Sequence, residues 1–297
     1  MLRVGSICGP PNDEVDSTMD LAKRLARHKL SLLGLVLIAI LLVVACLAPL
    51  ISPWDPQFQN LQARRLPPSP EHFLGTDELG RDLLSRLIHG ARVSLLVGVL
   101  SVAFAMAVGV PLGLSAGYLG KHYDHLIMRA MDVTLAFPRI LLAILLVAVL
   151  GPGLWKMVLA VGIWTIPVFA RTVRSKTLSL KERDFVLAAQ ALGASGTRTM
   201  FRHILPNCLS PLLVEATLNI GTAILTESTL SFLGLGIGPG TPTWGLILSG
   251  GRAYLRDAPH ISTFPGLAIM FTVLAFNFVG DGLRDVLDPR RNRLRGA

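Results

Sequence analysis

The chain has 297 residues, of which 52% are hydrophobic and only 16% charged, with a net charge of +9. A soluble domain carries about 25% charged residues, so there is too little polar surface here to cover the apolar content, and disorder is excluded for the same reason. The basic balance raises nucleic acid as a partner, but the aromatics outside the apolar stretches, such as Trp54, Tyr123 and Phe201, are scattered and do not interleave with a basic run.

A membrane helix needs roughly 20 mostly apolar residues. Six stretches answer to that requirement: 30–50, 93–119, 133–155, 157–170, 209–237 and 261–280. The fourth is short, and the Gly151-Pro152-Gly153 turn sets it off from the third. The first is too long for the apolar part of a cleaved signal and follows a polar segment of nearly thirty residues, so it is expected to stay as an anchor.

Six spans put both termini on one side, and Lys and Arg choose the side. Segments 1–29, 120–132, 171–208 and 281–297 hold 19 of the 28 Lys and Arg; segments 51–92 and 238–260 together with Lys156 hold 8; Arg139 lies in the third stretch. The richer set is expected to be cytoplasmic. This makes 1–29 and 281–297 cytoplasmic, 51–92 extracytoplasmic, and 93–280 a core of five spans. The basic charge then reflects topology.

In the outer segment, Leu83, Leu84, Leu87 and Ile88 fall at helical spacing, which predicts an amphipathic helix on the outer face. Asp77, Arg81 and Asp82 suit local ion pairs or caps, or contact with a partner. His122 and His125 read as solvated loop residues. Cys8, Cys46 and Cys208 are too scattered for disulfides or a metal site and read as small buried hydrophobes. Arg139 is expected to snorkel toward the cytoplasmic side.

The largest cytoplasmic connection, 171–208, carries Phe185, Ala188, Ala189 and Leu192 at i, i+3, i+4 and i+7, one face of a helix. Alanines leave that face shallow, so another surface can approach closely. Gly193 suits a helix C-terminus and Ser195 caps a second helix with Phe201 and Leu205 on one face. Pro206 and Pro211 punctuate the entry into the fifth stretch. This is a helix–turn–helix at the membrane surface. An amphipathic pair touching only lipid has the same periodicity.

Two carboxylates lie in the fifth stretch. A charge is costly there and usually faces a cavity or partner. Glu227, well inside, is a candidate for a translocation path or subunit interface, but a structural polar contact between helices, or a protonated carboxyl, is the favoured reading. Glu215, nearer the cytoplasmic end, is expected to reach the interface.

Ala188-Ala189, Gly193 and Leu205-Pro206 resemble the "EAA loop" of ABC importer permeases: Glu-Ala-Ala, three residues, Gly, nine residues, Ile-x-Leu-Pro. Leu187 and His203 stand where that pattern has Glu and Ile. Leu74-Gly-Thr-Asp77 through Arg86, Ser231-Phe-Leu-Gly-Leu-Gly236, Thr241-Pro-Thr-Trp244-Gly245, Phe264-Pro-Gly and Asn277 through Pro289 are similar to segments of dipeptide, oligopeptide and nickel-type permeases. The resemblance is closest to the second, shorter permease of such importers.

It implies an all-α, six-span type I permease fold in a bacterial inner membrane, importing short peptides or a related solute such as glutathione or a nickel chelate. It implies as partners a second homologous permease, two cytoplasmic ATPase subunits and an extracytoplasmic substrate-binding protein. Asp184, Phe185, Ala188, Ala189, Gly193 and Pro206 are the implied ATPase-coupling residues, and Asp281, Arg284 and Asp285 either touch the ATPase or anchor the last span. The chain has no Gly-x4-Gly-Lys-Ser/Thr loop, so ATP and Mg belong to the ATPase partners and no cofactor is expected here. A self-sufficient secondary transporter or channel would instead use Glu215 and Glu227 for ion coupling; the docking pattern and the absence of a repeat across two halves oppose it.

Overall fold

The computed structural model describes residues 28–238 and 240–287. Most of segment 1–29 and the last part of 281–297, with Cys8, Asp288 and Pro289, lie outside the described residues. Among these, structure is helical, with one isolated bridge between Thr76 and Asp82.

Helix α1 spans Lys29–Cys46 and is followed by one further turn, Ala48–Ile51. It lies at the periphery, with most of its Leu and Val side chains facing outward. Gly34 is where it touches the bundle: a Cβ there would lie 2.7 Å from Ala275 O. Cys46 is exposed, contrary to the buried reading, because α1 shows most of its surface to the surroundings.

Helix α2, Leu83–Leu119, has 37 residues and is about 55 Å long, well beyond a 30 Å hydrocarbon core. The outer helix expected around residues 83–88 is its first turns and not a separate element. Asp82 starts it, accepting from Ser85 N at 2.8 Å.

The third apolar stretch is not one helix. Helix α3, Lys121–Ala136, and helix α4, Arg139–Leu150, meet at 92°. Pro138 has no N–H to continue α3, and its ring drives Phe137 to φ −86°, ψ 132°, outside the helical region. The segment expected as a loop, 120–132, is therefore helical, and His122 and His125 sit on α3.

The short fourth stretch is the middle of α5, Leu154–Leu180. Its last turns carry Arg171, Arg174 and Lys176, which end an apolar run without ending a helix, since Lys and Arg are good helix formers. Helix α6, Asp184–Ala191, is followed by α7, Gly196–Phe232, a short helix α8, Trp244–Gly251, and α9, His260–Leu287. Among the described residues, five helices are long and apolar enough to cross a membrane; the bent pair α3–α4 makes a sixth span if counted as one.

The most extensive packing is α2 along α5. Gly113 permits it: a Cβ there would sit 2.2 Å from Ala170 O. Small residues let helix backbones approach in lipid, where no hydrophobic drive separates helix from tail. Phe169, Met157, Leu212 and Ile204 fill the main core, and Trp244, Ile224 and Leu95 lie in a second cluster under α8.

Candidate coupling site and polar clusters

Helix α6 begins after Arg183, whose backbone is extended. Asp184 in its first turn complements the positive N-terminal end of the helix. At the other end Gly193 adopts φ +84°. Gly193 N donates to Gln190 O at 2.9 Å and Ala194 N to Ala189 O at 3.0 Å, the two bonds of a Schellman motif. A Cβ on Gly193 would meet nothing within 4 Å, so backbone conformation alone requires glycine there.

The helix has two unlike sides. Val186 is fully buried and belongs to the main core, while Phe185 is 44% and Leu192 89% exposed. Ala188 is exposed and Ala189 half-buried, and Asp184 is exposed. The face read from periodicity therefore points away from the chain's own body. Val186, which anchors the opposite side, was not singled out in the sequence, where it is one more apolar residue. Gln190 Nε2 adds a bond to Tyr118 Oη at 3.3 Å, tying α6 to the end of α2.

Ser195 caps the next helix, accepting from Arg198 N at 3.3 Å. Residues Thr199–Ile204 then form a π turn, and Leu205 N bonds back five residues to Met200 O. Pro206 and Pro211 do not interrupt the chain, as expected, but lie within the continuous α7. Pro206 has no N–H to place, and the π turn just ahead of it absorbs the break in the α-helical ladder. The turn also changes which residues face inward. Thr199 and Ile204 are buried, whereas Phe201 is half-exposed, so Phe201 and Leu205 do not make the shared face that an α-helical period predicts. The π turn packs on α6, joining it mechanically to the fifth stretch.

Two ion pairs tie α3 to α5. Arg174 forks onto Asp124, its Nη2 lying 2.6 Å from Oδ2 and its Nε bonded to Oδ1; Arg171 Nη2 lies 2.6 Å from Asp132 Oδ1. These partners are 50 and 39 residues apart, and no local pattern announced them.

Glu227 is fully buried. Its Oε1 accepts from Ser231 Oγ at 2.7 Å, and its Oε2 accepts from Ser94 Oγ at 3.1 Å and Ser228 Oγ at 3.3 Å. The carboxyl joins α7 to α2 inside one chain and reaches no surface of it, which is the favoured contact between helices and not the candidate path or interface position. Ser94 also lies 3.5 Å from Trp244 N, and Trp244 Nε1 donates to Leu87 O at 3.0 Å. Glu215 lines an open cavity of about 550 Å³ with Lys176, Asn207 and Arg284.

Arg139 does not reach outward freely. Its guanidinium lies 3.9 Å over the Trp164 ring, and Trp164 Nε1 donates to Phe137 O at 3.3 Å. This pins the bend between α3 and α4.

In the segment before α2, Asp77 is buried and accepts from Arg81 Nε at 2.6 Å and from the backbone of Leu79 and Arg81. Asp82 caps α2 and meets His72 Nδ1 at 2.9 Å. Both the ion pair and the cap expected of these residues are present.

Residues 109–293 match the family described as binding-protein-dependent transport system inner membrane component. Residues 18–68 match the N-terminal TM domain of oligopeptide transport permease C. The chain is 46% identical to the dipeptide transport system permease protein DppC of Alkalihalophilus pseudofirmus, over 95% of this chain and 93% of the relative. It is 47% identical to the glutathione transport system permease protein GsiD of Escherichia coli O6:K15:H31, over 90% and 89%. A structure of the MetNI methionine ABC transporter in an inward-facing conformation superposes with a TM-score of 0.58, covering 69% of this chain and 97% of that one. At 19% identity that likeness shows the fold.

Proposed function

The chain belongs to the binding-protein-dependent transport system inner membrane component family, and from that premise we propose that it forms half of the translocation pathway of an ATP-driven importer of short peptides, coupled to its ATPase through α6. Its role as an ABC importer permease in the membrane is that of its relatives.

One observation carries the coupling reading. Helix α6 is anchored inward by Val186 and turned outward by Phe185, Ala188 and Leu192. A shallow apolar face beside Gly193 and Asp184 suits insertion into a cleft of another protein. Force applied to that face passes through Val186 to the core and through the π turn to α7, a rigid-body route from an ATPase to the spans. Pro206 is part of that route by its place at the head of the fifth stretch. In this reading two cytoplasmic ATPase subunits bind ATP and Mg, a second homologous permease supplies the other half of the path, and an extracytoplasmic binding protein delivers the solute. The termini lie in the cytoplasm.

The peptide assignment is supported by the relatives, whose names specify dipeptide, di/tripeptide and glutathione transport. All three cargoes are small peptides. The rival secondary transporter loses its deepest carboxylate, since Glu227 is closed in by three serines.

The test is reconstitution of the chain with its companion permease, ATPases and binding protein in proteoliposomes. Labelled dialanine should enter only when ATP and the binding protein are both present. Uptake by this chain with no ATPase would overturn the reading.

A further inference from the structure

The outer end of the molecule holds a cavity of about 280 Å³ between the loop before α2 and helix α8. Glu78, Arg81, Arg86, Leu246, Ser249 and Gly250 line it. Arg86 is nearly fully buried. Its Nε is enclosed without a hydrogen bond, although Asp77 Oδ2 lies 3.2 Å away, and its Nη1 donates to Pro56 O at 3.3 Å. A guanidinium offers five N–H donors, and a buried donor left unmade is costly. Asp77 and Pro56 engage its Nε and Nη1, two of the three guanidinium nitrogens, and Arg86 also lines the cavity.

Glu78 brings the complementary group. Its Oε1 accepts from Arg81 Nη2 at 2.9 Å. Its Oε2 lies over Gly250, where a Cβ would come within 2.7 Å. The absence of a side chain at position 250 lets the Glu78 carboxylate sit against α8 at the cavity wall. Two arginines and the two acids Asp77 and Glu78 balance in formal charge. A net-charged guest would leave one charge uncompensated in a half-enclosed site, whereas a zwitterion would not. The volume sits at the small end for ligand pockets.

We propose that this outer cavity is a binding site for a small zwitterion, with Arg86 toward its carboxylate and Glu78 Oε2 toward its ammonium. Resting on the short-peptide reading above, it gives the permease a contact of its own with the two charged ends of the cargo, on the side where cargo arrives.

The experiment uses the assembled permease–ATPase complex without binding protein, titrated with dialanine, N-acetyl-dialanine and dialanine amide. Dialanine should bind, and either capped form should bind about tenfold more weakly or less. Glu78→Gln should weaken dialanine about tenfold while leaving N-acetyl-dialanine unchanged. Gly250→Ala, which only displaces the tip of a flexible side chain, should do the same without unfolding the protein. Arg86→Lys should weaken dialanine and N-acetyl-dialanine alike, since both carry the carboxylate, and leave dialanine amide unchanged. Equal binding of all three probes, no dialanine binding, or unchanged binding in Glu78→Gln and Gly250→Ala would overturn the site. If those two variants instead weaken only the docking of the binding protein, the cavity belongs to that protein and the proposal fails. Dialanine uptake by the full system, measured in parallel, separates this failure from failure of the peptide reading.

Discussion

Ser94 Oγ donates to Glu227 Oε2 at 3.1 Å, across 133 residues of sequence and between two helices that each run well beyond one turn of contact. The bond joins α2 to α7 beside Trp244, so it holds the short helix α8 as well as the two long spans. Replacing Glu227 by Ala strands three serine hydroxyls in a buried site. A loss of about 1–3 kcal/mol is expected, read from unfolding in detergent. Glu227→Gln keeps an acceptor and should cost less. Paired with Ser94→Ala in a double-mutant cycle, Glu227→Ala should show coupling of about 0.5 kcal/mol or more; strict additivity would mean the two residues act independently.

Gly193 tests the coupling helix. Its φ of +84° is hostile to a β-branched residue, and no neighbour is close enough to add a clash. Gly193→Val should cost about 1–2 kcal/mol locally and unravel the end of α6. Gly193→Asn, which tolerates this conformation, should be milder. The expected readout is ATP hydrolysis by the assembled complex that no longer drives uptake in the Val variant. Full uptake by that variant would remove α6 from the coupling route.

Arg174 and Asp124 make a second, sharper test. Reversing one charge, as Asp124→Arg, should loosen α3 from α5 and lower thermal stability in detergent. Exchanging both, as Asp124→Arg with Arg174→Asp, should restore part of the loss. The pair is partly solvated, so an effect of about 1 kcal/mol is expected. No rescue by the exchange would show that the contact contributes through packing alone.

A Cβ added at Gly113 would lie 2.2 Å from Ala170 O, a backbone atom that cannot swing aside. Gly113→Leu should force α2 from α5 and abolish folded protein in the membrane, scored by size-exclusion of a fluorescent fusion. Even Gly113→Ala should lower the yield.

A reporter fused after Ala297 tests orientation. A cytoplasmic signal is expected from the concentration of Lys and Arg in 171–208 and at both ends. An extracytoplasmic signal would invert the arrangement of α6 and the outer cavity together.

By itself the sequence determined the membrane class, the number of apolar stretches, the exposed face of α6, the Gly193 terminus and the cap at Ser195. Each of these follows from local composition or from spacing within a few residues, where the period of a helix or the needs of one backbone position decide. Tertiary structure alone decided the right-angled break at Pro138, the continuity of α7 through Pro206, and the enclosure of Glu227. The first and last depend on partners far along the chain, Trp164 beneath Arg139 and Ser94 from another helix, while the passage through Pro206 rests on a π turn just ahead of it that an α-helical period does not foresee. A buried charge read in one dimension shows that it needs a partner, and only the packed helices show that the partner lies inside the same chain.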